Sequence, residues 1–372
     1  MSKTPSRTTH VKRTLSTPDR RKLAESLAAI EAVEVKAEQP LPKKILVTGA
    51  AGFIASRVCA LLCASGHEVT GLDNFNDGYD VRLKEWRWAQ LEKIEGLELH
   101  RLDLTDKAAL QRLFEKHARA GQASPFDAVV NLAARAGVRA SVENPSVYVD
   151  ANVSGALNLL EACRKFGVKK FVLASTSSLY GKDHATPYRE EMNTDRQLSP
   201  YAATKKAAEA MAYTYHFLYK IDVSVLRYFT VYGPAGRPDM TPLRFTQRIR
   251  EGRGITIFGD GSQSRDFTYV DDIARGTIAA LKSVGYEVFN LGSDEPLKLS
   301  ALIGMIEEMT GKKAMIDYLP WHPADMAATW ADITKARQTL GWSPQVSFRS
   351  GMEQLVKWYE ENRAWAKEID TD

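Results

Sequence analysis

The sequence predicts an α/β protein that has a doubly wound parallel sheet and a second, smaller α/β lobe. Three observations lead to this prediction. Short apolar segments of buried-strand type alternate with helical segments from residue 44 to residue 229. A glycine-rich turn follows the first apolar segment and opens a helix. Beyond residue 232, Pro and Gly become denser and the elements shorter, which favours a second lobe formed by insertions.

The first strand and its turn form a dinucleotide-binding fingerprint. Residues 44–48 are an apolar strand, followed by Gly49-Ala-Ala-Gly52 and an apolar helix. Gly49 makes the tight turn, Gly52 lets the backbone approach a pyrophosphate, and the helix N-terminus favours its negative charge. The next strand ends at Asp73, whose carboxylate is suited to a ribose 2′-hydroxyl and repels a 2′-phosphate. The pattern therefore predicts NAD as the cofactor, in preference to NADP.

Two further strands continue the alternation. Residues 97–102 lead into Asp103, which either reaches the adenine side of a cofactor or caps the next helix. Residues 126–132 lead into AARAGVR, which contains Arg135 and Arg139. The small residues of this segment permit close backbone approach to a cofactor, and its arginines either bind an anion or lie on the surface.

A Tyr and a Lys follow the next strand, in the region where ligands bind to open α/β sheets. After the strand 170–174, the segment SPYAATKK places Tyr201 and Lys205 four residues apart, and therefore on one face of a helix. A neighbouring ammonium favours the phenolate and moves the pKa of the Tyr towards neutral pH. Ser199 is suited to cap this helix and Pro200 to its first turn. The pair predicts proton-transfer chemistry.

Composition and charge exclude several classes of protein. The chain has 372 residues, of which 44% are hydrophobic, so a large core is expected. Residues 1–44 contain ten basic and five acidic residues, so the net charge of +4 leaves the remainder near neutral. This balance gives no electrostatic case for nucleic-acid binding. No run of 18 apolar residues is present, so no transmembrane span is expected.

The cysteines and the termini add little chemistry. Cys59, Cys63 and Cys163 are interpreted as small core residues in a reducing cytosol, and no metal site is expected. Residues 1–42 are predicted to be a basic, disordered arm with helical patterning from Asp19 to about Glu38.

The chain beyond this arm is divided into two lobes. Residues 43–232 are predicted to be the NAD-binding Rossmann domain, with returning segments 267–292 and 326–340. The substrate lobe is predicted to consist of residues 233–266, 293–325 and 341–364.

Six motifs occur in a diagnostic order: GAAGFIA (49–55), NLAA (131–134), STSSLYG (175–181), SPYAATKK (199–206), LRYFTVYGP (226–234) and RDFTYVDD (265–272). Together they resemble the extended short-chain dehydrogenase/reductases, specifically the NAD-dependent nucleotide-sugar 4-epimerases. The resemblance extends from about Lys44 to Tyr359, which is nearly all of the chain except the arm.

The resemblance implies catalytic roles. Tyr201 would transfer the proton, Lys205 would hold the nicotinamide ribose and lower the pKa of the Tyr, and Thr176 would complete the triad. Dehydratases of this family carry Asp-Glu after the Thr, and nucleotide-glucuronate decarboxylases carry Ser-Glu. Here the pair is Ser177-Ser178, without a carboxylic acid, which favours simple epimerisation.

The resemblance also implies which residues bind NAD. They lie at the glycine turn, at the ends of the following strands and on the catalytic helix: Gly49, Ala51, Gly52, Phe53, Ile54, Asp73, Asn74, Asp103, Leu104, Ala133, Ala134, Asn152, Tyr201, Lys205 and Tyr228.

The substrate side resembles the UDP-glucuronate subgroup of these epimerases. AARAGVR, GRPDM and a Thr at position 230, where galactose-type epimerases usually place Asn, support this resemblance. Hydroxyl groups at the end of the fifth strand and at position 230 would donate hydrogen bonds to a sugar carboxylate. The implied substrate-binding residues are Arg135, Ser177, Ser178, Thr230, Arg237, Met240, Arg265 and Asp325. Asp325 follows His-Pro-Ala instead of the family's usual Gln-Pro-Gly or Arg-x-Gly, so ribose contacts there are an open question.

The expected activity is the reversible conversion of UDP-glucuronate to UDP-galacturonate through a transient 4-keto sugar, with retained NAD, in polysaccharide biosynthesis. The alternatives are a UDP-glucose or UDP-GlcNAc 4-epimerase, or a UDP-glucuronate decarboxylase, on the same scaffold. A non-catalytic NAD-sensing protein is a more remote alternative, since such proteins typically lose the Tyr or the Lys. The family suggests a homodimer, and the missing anchor favours a soluble, cytoplasmic enzyme with no membrane partner.

Overall fold

The computed structural model describes residues 44–118, 124–182, 184–321 and 326–371. The predicted arm (1–42), with its helical pattern, and Asp325 lie outside these residues. Within them, no helix has the length and apolar composition needed to cross a lipid bilayer.

The strands alternate with helices along the first part of the chain, as predicted. The strands are β1 (Lys44–Thr48), β2 (Glu68–Asp73), β3 (Leu97–Arg101), β4 (Ala128–Asn131), β5 (Lys170–Thr176), β6 (Asp222–Tyr228), β7 (Thr230–Tyr232), β8 (Ile255–Phe258), β9 (Ser264–Tyr269), β10 (Tyr286–Leu291), β11 (Pro296–Lys298) and β12 (Ile316–Leu319).

The helices are α1 (Phe53–Ala64), α2 (Val81–Leu91), α3 (Lys107–His117), α4 (Ala140–Glu143), α5 (Ser146–Tyr148), α6 (Gly155–Phe166), α7 (Pro200–Tyr219), α8 (Thr241–Arg250), α9 (Val270–Ala279), α10 (Leu299–Thr310), α11 (Thr334–Leu340) and α12 (Phe348–Ala366). A π-helical turn, Val149–Ser154, joins α5 to α6, and a 3₁₀ turn, Ser177–Tyr180, follows β5.

A seven-stranded sheet forms the centre, in the order β3-β2-β1-β4-β5-β6-β10. Every neighbouring pair in it is parallel. The chain reverses its direction of progress between β1 and β4, and ligands bind to such sheets beyond the carboxyl ends of the strands at this point. The prediction of a doubly wound parallel sheet is confirmed.

The core lies on both faces of this sheet because successive side chains of a strand point to opposite faces. In β1, Ile45 and Val47 pack in the layer that contains α1, α2 and α9, whereas Leu46 packs in the layer that contains α3, α6 and α7. Residues 45–48 are buried, as expected for a central strand covered by helices on both sides.

Two smaller sheets lie beyond β6. One has the order β11-β9-β7 and the other pairs β12 with β8; helices α8, α10 and α12 pack around them. The strand β10 returns to the main sheet beside β6. We keep the division into a cofactor lobe and a substrate lobe, with the boundaries given above, as a proposal.

Candidate active site

The glycine turn after β1 can accept a dinucleotide. Gly49 has a φ of +74°, and a Cβ atom there would lie 2.9 Å from the backbone of Ala133. A Cβ on Gly52 would lie 2.7 Å from the carbonyl oxygen of Gly49. Gly52 also precedes α1 without a side-chain cap, so the first N–H groups of this helix point into the turn. These features fit an NAD pyrophosphate, because only bare backbone leaves the room and the donors that it needs.

Asp73, at the end of β2, stabilises the glycine turn through its carboxylate. Its carboxylate accepts hydrogen bonds from the backbone N–H of Ala51 (3.1 Å) and of Phe75 (2.7 Å), and the residue is buried. Each oxygen retains a second lone pair, which leaves the carboxylate able to accept a ribose hydroxyl as well.

Asp103 and Asn74 meet at the ends of two neighbouring strands. The Asn74 amide donates to the Asp103 carboxylate at 2.7 Å, and the backbone N–H of Thr105 donates to the same carboxylate at 2.8 Å. The cap of α3 is Asp106, which accepts from the N–H of Ala109. The helix-capping alternative for Asp103 is therefore wrong, because the cap lies three residues later and the helix begins at Lys107.

The small residues after β4 lie against the glycine turn. The hydroxyl of Thr48 donates to Asn131 at 2.7 Å and accepts from the N–H of Ala133 at 3.1 Å. These bonds hold the backbone of Ala133 against Gly49, so a residue with a Cβ atom does not fit at position 49. Ala134, which follows Ala133, is half-buried.

Asn152 braces this segment to the helix α7. Its amide oxygen accepts from the N–H of Arg135 (2.8 Å), and its amide nitrogen donates to the carbonyl of Arg135 (2.9 Å) and to the hydroxyl of Thr204 (3.0 Å). Asn152 lies in the π-helical turn, a feature that is frequent at functional sites. Both amide protons are thus used inside the protein, and the contact of Asn152 with NAD stays a prediction.

The catalytic helix begins as predicted. The Ser199 hydroxyl accepts from the N–H of Ala202, and Pro200 occupies the first turn of α7. Thr176 lies close enough to Tyr201 for its side chain to lower the pKa of the phenol, so the end of β5 meets the first turn of α7. Thr176 also binds Ser178, through both the backbone N–H and the hydroxyl of that residue, each at 3.2 Å. The structure therefore brings Thr176 and Tyr201 together, with Lys205 one turn further along the same helix face.

The electrostatics of the pair differ from the sequence expectation. Burial raises the pKa of Tyr201, and the hydrogen bond to Thr176 and the positive charge of Arg237 lower it only in part. Burial also lowers the pKa of Lys205 to about 8, against an opposing effect of Glu209. The net raised pKa of Tyr201 corrects the lowering that we expected from the Tyr–Lys spacing, because loss of water outweighs the effects of Thr176 and Arg237.

A buried ion pair lies under the catalytic segment. The Arg227 guanidinium donates to both oxygens of the Glu209 carboxylate, at 3.0 and 2.9 Å, and the two side chains are only 4% and 5% exposed. The hydroxyl of Ser175 donates to the same carboxylate at 2.6 Å. Glu209 thus connects α7, β5 and β6 just below Lys205 and Thr176.

The two arginines after β4 are already engaged within the protein. Arg135 donates to the carboxylate of Asp77 at 2.8 Å and to the amide oxygen of Asn76 at 3.1 Å. Its side chain is 20% exposed. The guanidinium of Arg139 lies 4.6 Å from the centre of the Phe258 ring. Both bonds use Nη1, so a substrate contact by Arg135 would use other N–H groups of its guanidinium or compete with Asp77.

The remaining predicted substrate residues lie beyond β5 and β6. Ser177 begins the 3₁₀ turn after Thr176, and half-buried Thr230 begins β7. Arg237 pairs with Asp239, and Met240 immediately precedes α8. The guanidinium of Arg265 donates to the carbonyl of Ser264 at 2.8 Å.

Several predicted cofactor residues belong to the core. The side chains of Phe53 and Leu104 are buried, and that of Ile54 packs against the core. These residues can therefore contact a ligand through their backbone atoms. The hydroxyl of Tyr228 forms a hydrogen bond with that of Thr277, at 2.8 Å. The Tyr228 hydroxyl therefore points towards α9 and already has a partner within the protein.

Two residues at the site were missed by sequence analysis. Arg87 is buried, and its guanidinium donates to the carbonyls of Ala51 (3.0 Å) and Ala235 (2.9 and 2.7 Å) and to the hydroxyl of Tyr79 (2.8 Å). It joins the glycine turn to the loop before Arg237. No sequence signal marks Arg87, because its acceptors are mostly backbone carbonyls.

The second missed residue is Tyr148, which is buried. Its ring packs edge-on against that of Tyr201, with 6.3 Å between centroids. Only the fold brings α5 beside α7, so no local sequence pattern marks Tyr148 as a site residue.

Comparison with known proteins identifies similar chains. The family model described as "NAD dependent epimerase/dehydratase family" matches residues 45–292. A UDP-glucuronate 4-epimerase from Thermodesulfobacterium geofontis is 53% identical over 325 residues, which cover 87% of this chain and 98% of that protein. UDP-glucuronate 4-epimerase 3 from Arabidopsis thaliana is 42% identical, over 85% of this chain and 76% of that protein.

Solved structures of similar chains have the same fold. The UDP-glucuronic acid 4-epimerase from Bacillus cereus, in complex with UDP-glucuronic acid and NAD, has a TM-score of 0.79 and 39% identity, covering 86% of this chain and 99% of that chain. The UDP-glucose 4-epimerase from Thermotoga maritima, with UDP-glucose, has a TM-score of 0.77 and 32% identity, with the same coverage.

Proposed function

This chain belongs to the NAD-dependent epimerase/dehydratase family, and from that membership we propose that it interconverts UDP-glucuronate and UDP-galacturonate by 4-epimerisation. The observation that carries the proposal is the proximity of Thr176 to Tyr201, with Thr176 followed by two serines and no carboxylic acid. The identity to UDP-glucuronate 4-epimerases, up to 53% over most of the chain, supports the glucuronate substrate over a neutral UDP-hexose.

Each active-site residue has a separate role in the proposed reaction. Tyr201 removes the proton of the C4 hydroxyl and later returns it, and the neighbouring Thr176 orients the phenol. Lys205, which has a pKa of about 8, is mostly protonated at neutral pH and holds a ribose hydroxyl. NAD, held at the glycine turn, would supply the site that takes up the C4 hydride and returns it. The 4-keto sugar turns over between these events, so the opposite face receives the hydride and no net redox change results.

The orientation of the C6 carboxylate of the sugar must also be controlled, so that CO₂ is not lost. The 4-keto sugar acid carries its carbonyl beta to the C6 carboxylate, and such acids lose CO₂ readily when the C5–C6 bond aligns with the carbonyl π system. Thr176 is the register partner of Tyr228 on β6, and Thr230 stands two residues beyond that partner, at the start of β7. We assign to Thr230 and to the hydroxyl groups near Thr176 the role of holding the carboxylate out of this alignment.

Replacing Thr230 with Ala is expected to increase the release of CO₂ relative to epimerisation, because the carboxylate loses one hydrogen-bond donor. The fraction of decarboxylated nucleotide sugar, measured by proton NMR after a fixed turnover of UDP-glucuronate, checks this expectation. A Thr230→Ser variant keeps the hydroxyl and is expected to behave like the parent chain. Unchanged product purity in the Ala variant would remove Thr230 from this role.

The proposed function is tested by a proton NMR time course of the purified protein with UDP-glucuronate, with and without added NAD⁺. UDP-galacturonate that approaches a fixed ratio to substrate, without pentose signals, is the expected outcome. A decarboxylated main product would instead favour a decarboxylase. Turnover of UDP-glucose or UDP-GlcNAc, but not of UDP-glucuronate, would show that the substrate assignment is wrong.

We further propose that the enzyme is a homodimer. The C-terminal half of α7 exposes apolar side chains on one helix face, with Tyr213 52% and Phe217 61% exposed. Apolar surface of this kind favours burial against a second copy. Light scattering of the purified chain should give twice the monomer mass, and Phe217→Glu should shift it towards the monomer. A monomeric parent chain would contradict the proposal.

We also propose that the enzyme acts in the cytoplasm. Cys59, Cys63 and Cys163 are all free thiols. Free, buried cysteines are typical of proteins from a reducing compartment, and this supports the proposed location.

A further inference from the structure

Three side chains with metal-binding groups meet at the edge of the main sheet. Glu98 and His100 lie on β3, the edge strand, and His117 lies in the last turn of α3. Glu98 and His100 are two residues apart, so they point to the same face of the strand. One ligand atom of each residue can be chosen so that all three lie within 4.8 Å of one another.

The distances resemble those between the ligands of a tetrahedral metal ion. The Nε2 atom of His100 lies 2.9 Å from one oxygen of Glu98, and the Nε2 atom of His117 lies 3.3 Å from the other. With metal–ligand bonds of about 2.0–2.2 Å, the ligand atoms of a tetrahedral zinc site are roughly 3.3–3.5 Å apart. Only small side-chain movements are therefore needed to place an ion between them.

His117 supplies a second, independent observation. It is buried, and its Nε2 atom has no hydrogen-bond partner, because the 3.3 Å approach to Glu98 does not have hydrogen-bond geometry. Its ring is held against Phe126, with 4.9 Å between centroids. Buried polar atoms in proteins are normally paired, so a fixed imidazole nitrogen that points at a carboxylate without bonding to it indicates a missing partner.

The carboxylate at the centre already binds a cation. The ammonium of Lys116 lies 2.6 Å from Glu98, while its side chain is 61% exposed. An exposed Lys has a long, flexible stem and can leave this position at little cost. Lys116 therefore acts as a competitor for the carboxylate, and a metal ion must displace it.

We propose that Glu98, His100 and His117 bind a divalent transition-metal ion, with water as its fourth ligand. Two imidazoles and one carboxylate are a ligand set typical of Zn²⁺. The bound ion would tie the edge strand β3 to α3. None of the three residues belongs to the machinery assigned above to epimerisation, so the site adds a metal ion away from the reacting atoms and leaves the proposed function independent of it.

Zn²⁺ binding to the full-length, tag-free protein tests the proposal, after treatment with a chelator. Equilibrium dialysis is expected to show one Zn²⁺ per chain. Cobalt(II) should give the visible absorption bands of a tetrahedral site. His100→Gln and His117→Gln are each expected to weaken Zn²⁺ binding by roughly tenfold or more. Lys116→Gln is expected to strengthen it, because the competing ammonium is gone.

Matched variants separate this site from general effects. His67→Gln removes a histidine outside the cluster, and Lys107→Gln removes a positive charge from the other end of α3; neither is expected to change the affinity. An increase in Zn²⁺ affinity in the Lys116→Gln variant cannot result from misfolding. The proposal is overturned if no stoichiometric binding occurs, or if binding survives unchanged in both histidine variants.

Discussion

Replacing Tyr201 with Phe is expected to lower the rate of 4-epimerisation by roughly 10²–10⁴-fold, the usual contribution of a positioned general acid–base group. The Phe ring keeps the edge-on packing against Tyr148, and only the hydroxyl close to Thr176 is lost. The loss should therefore appear in kcat, while the affinity for UDP-glucuronate and the content of bound NAD stay close to those of the parent chain. Steady-state kinetics and calorimetric binding measure the two quantities separately.

Tyr148→Phe is the matched control for this prediction. The two rings are neighbours, but the Tyr148 hydroxyl reaches only the carbonyl of Ala136, at 3.4 Å. Its removal is expected to reduce kcat far less than the Tyr201 substitution does. Equal losses in the two variants would point to packing as the cause, and a Tyr201→Phe enzyme with near-normal kcat would show that another group transfers the proton.

Replacing Arg227 with Met is expected to lower the free energy of unfolding by about 3–5 kcal/mol, the typical cost of breaking a buried ion pair by removing one partner. The substitution leaves the Glu209 carboxylate buried under the catalytic segment with Ser175 as its remaining side-chain partner. Chemical denaturation followed by circular dichroism measures the loss.

Two further variants make this measurement specific. Arg349 forms a similar pair with Glu308, but the two side chains are 51% and 61% exposed. Arg349→Met is therefore expected to cost at most about 1 kcal/mol. The double variant Arg227→Met with Glu209→Gln should recover part of the loss, since no buried charge remains. A small loss in the Arg227 variant would mean that water reaches Glu209.

Much of the fold follows from local sequence patterns. The apolar strands, the glycine turn and the Ser199 cap were predicted because each depends on residues that are adjacent along the chain. The small sheets were not predicted in detail. The pairing of β7 with β9 and of β8 with β12 joins short segments separated by long stretches of chain, and no local pattern encodes which of them meet.

The site could be predicted only in part for the same reason. The resemblance selected Thr176 and Tyr201, and the fold brings them together. Arg87 gave no signal, since the backbone carbonyl of Ala235 becomes its acceptor only after folding. Asn152 had been assigned to the cofactor, but its partners at residues 135 and 204 were invisible in the sequence. The raised pKa of Tyr201 depends on burial, which a helical spacing cannot report.

The π-helical turn Val149–Ser154 limits how this chain can change in length. A π-turn spans one more residue than an α-turn, and one residue corresponds to a rotation of roughly 100° around a helix. On one side of the turn lies Tyr148, against Tyr201; on the other lies Gly155, where a Cβ would be 3.2 Å from Leu104. Substitutions can be absorbed between these points, but a deletion would rotate one contact away from the other. In evolutionary terms, the turn is a spacer whose residue number is fixed and whose composition can drift at positions other than Asn152.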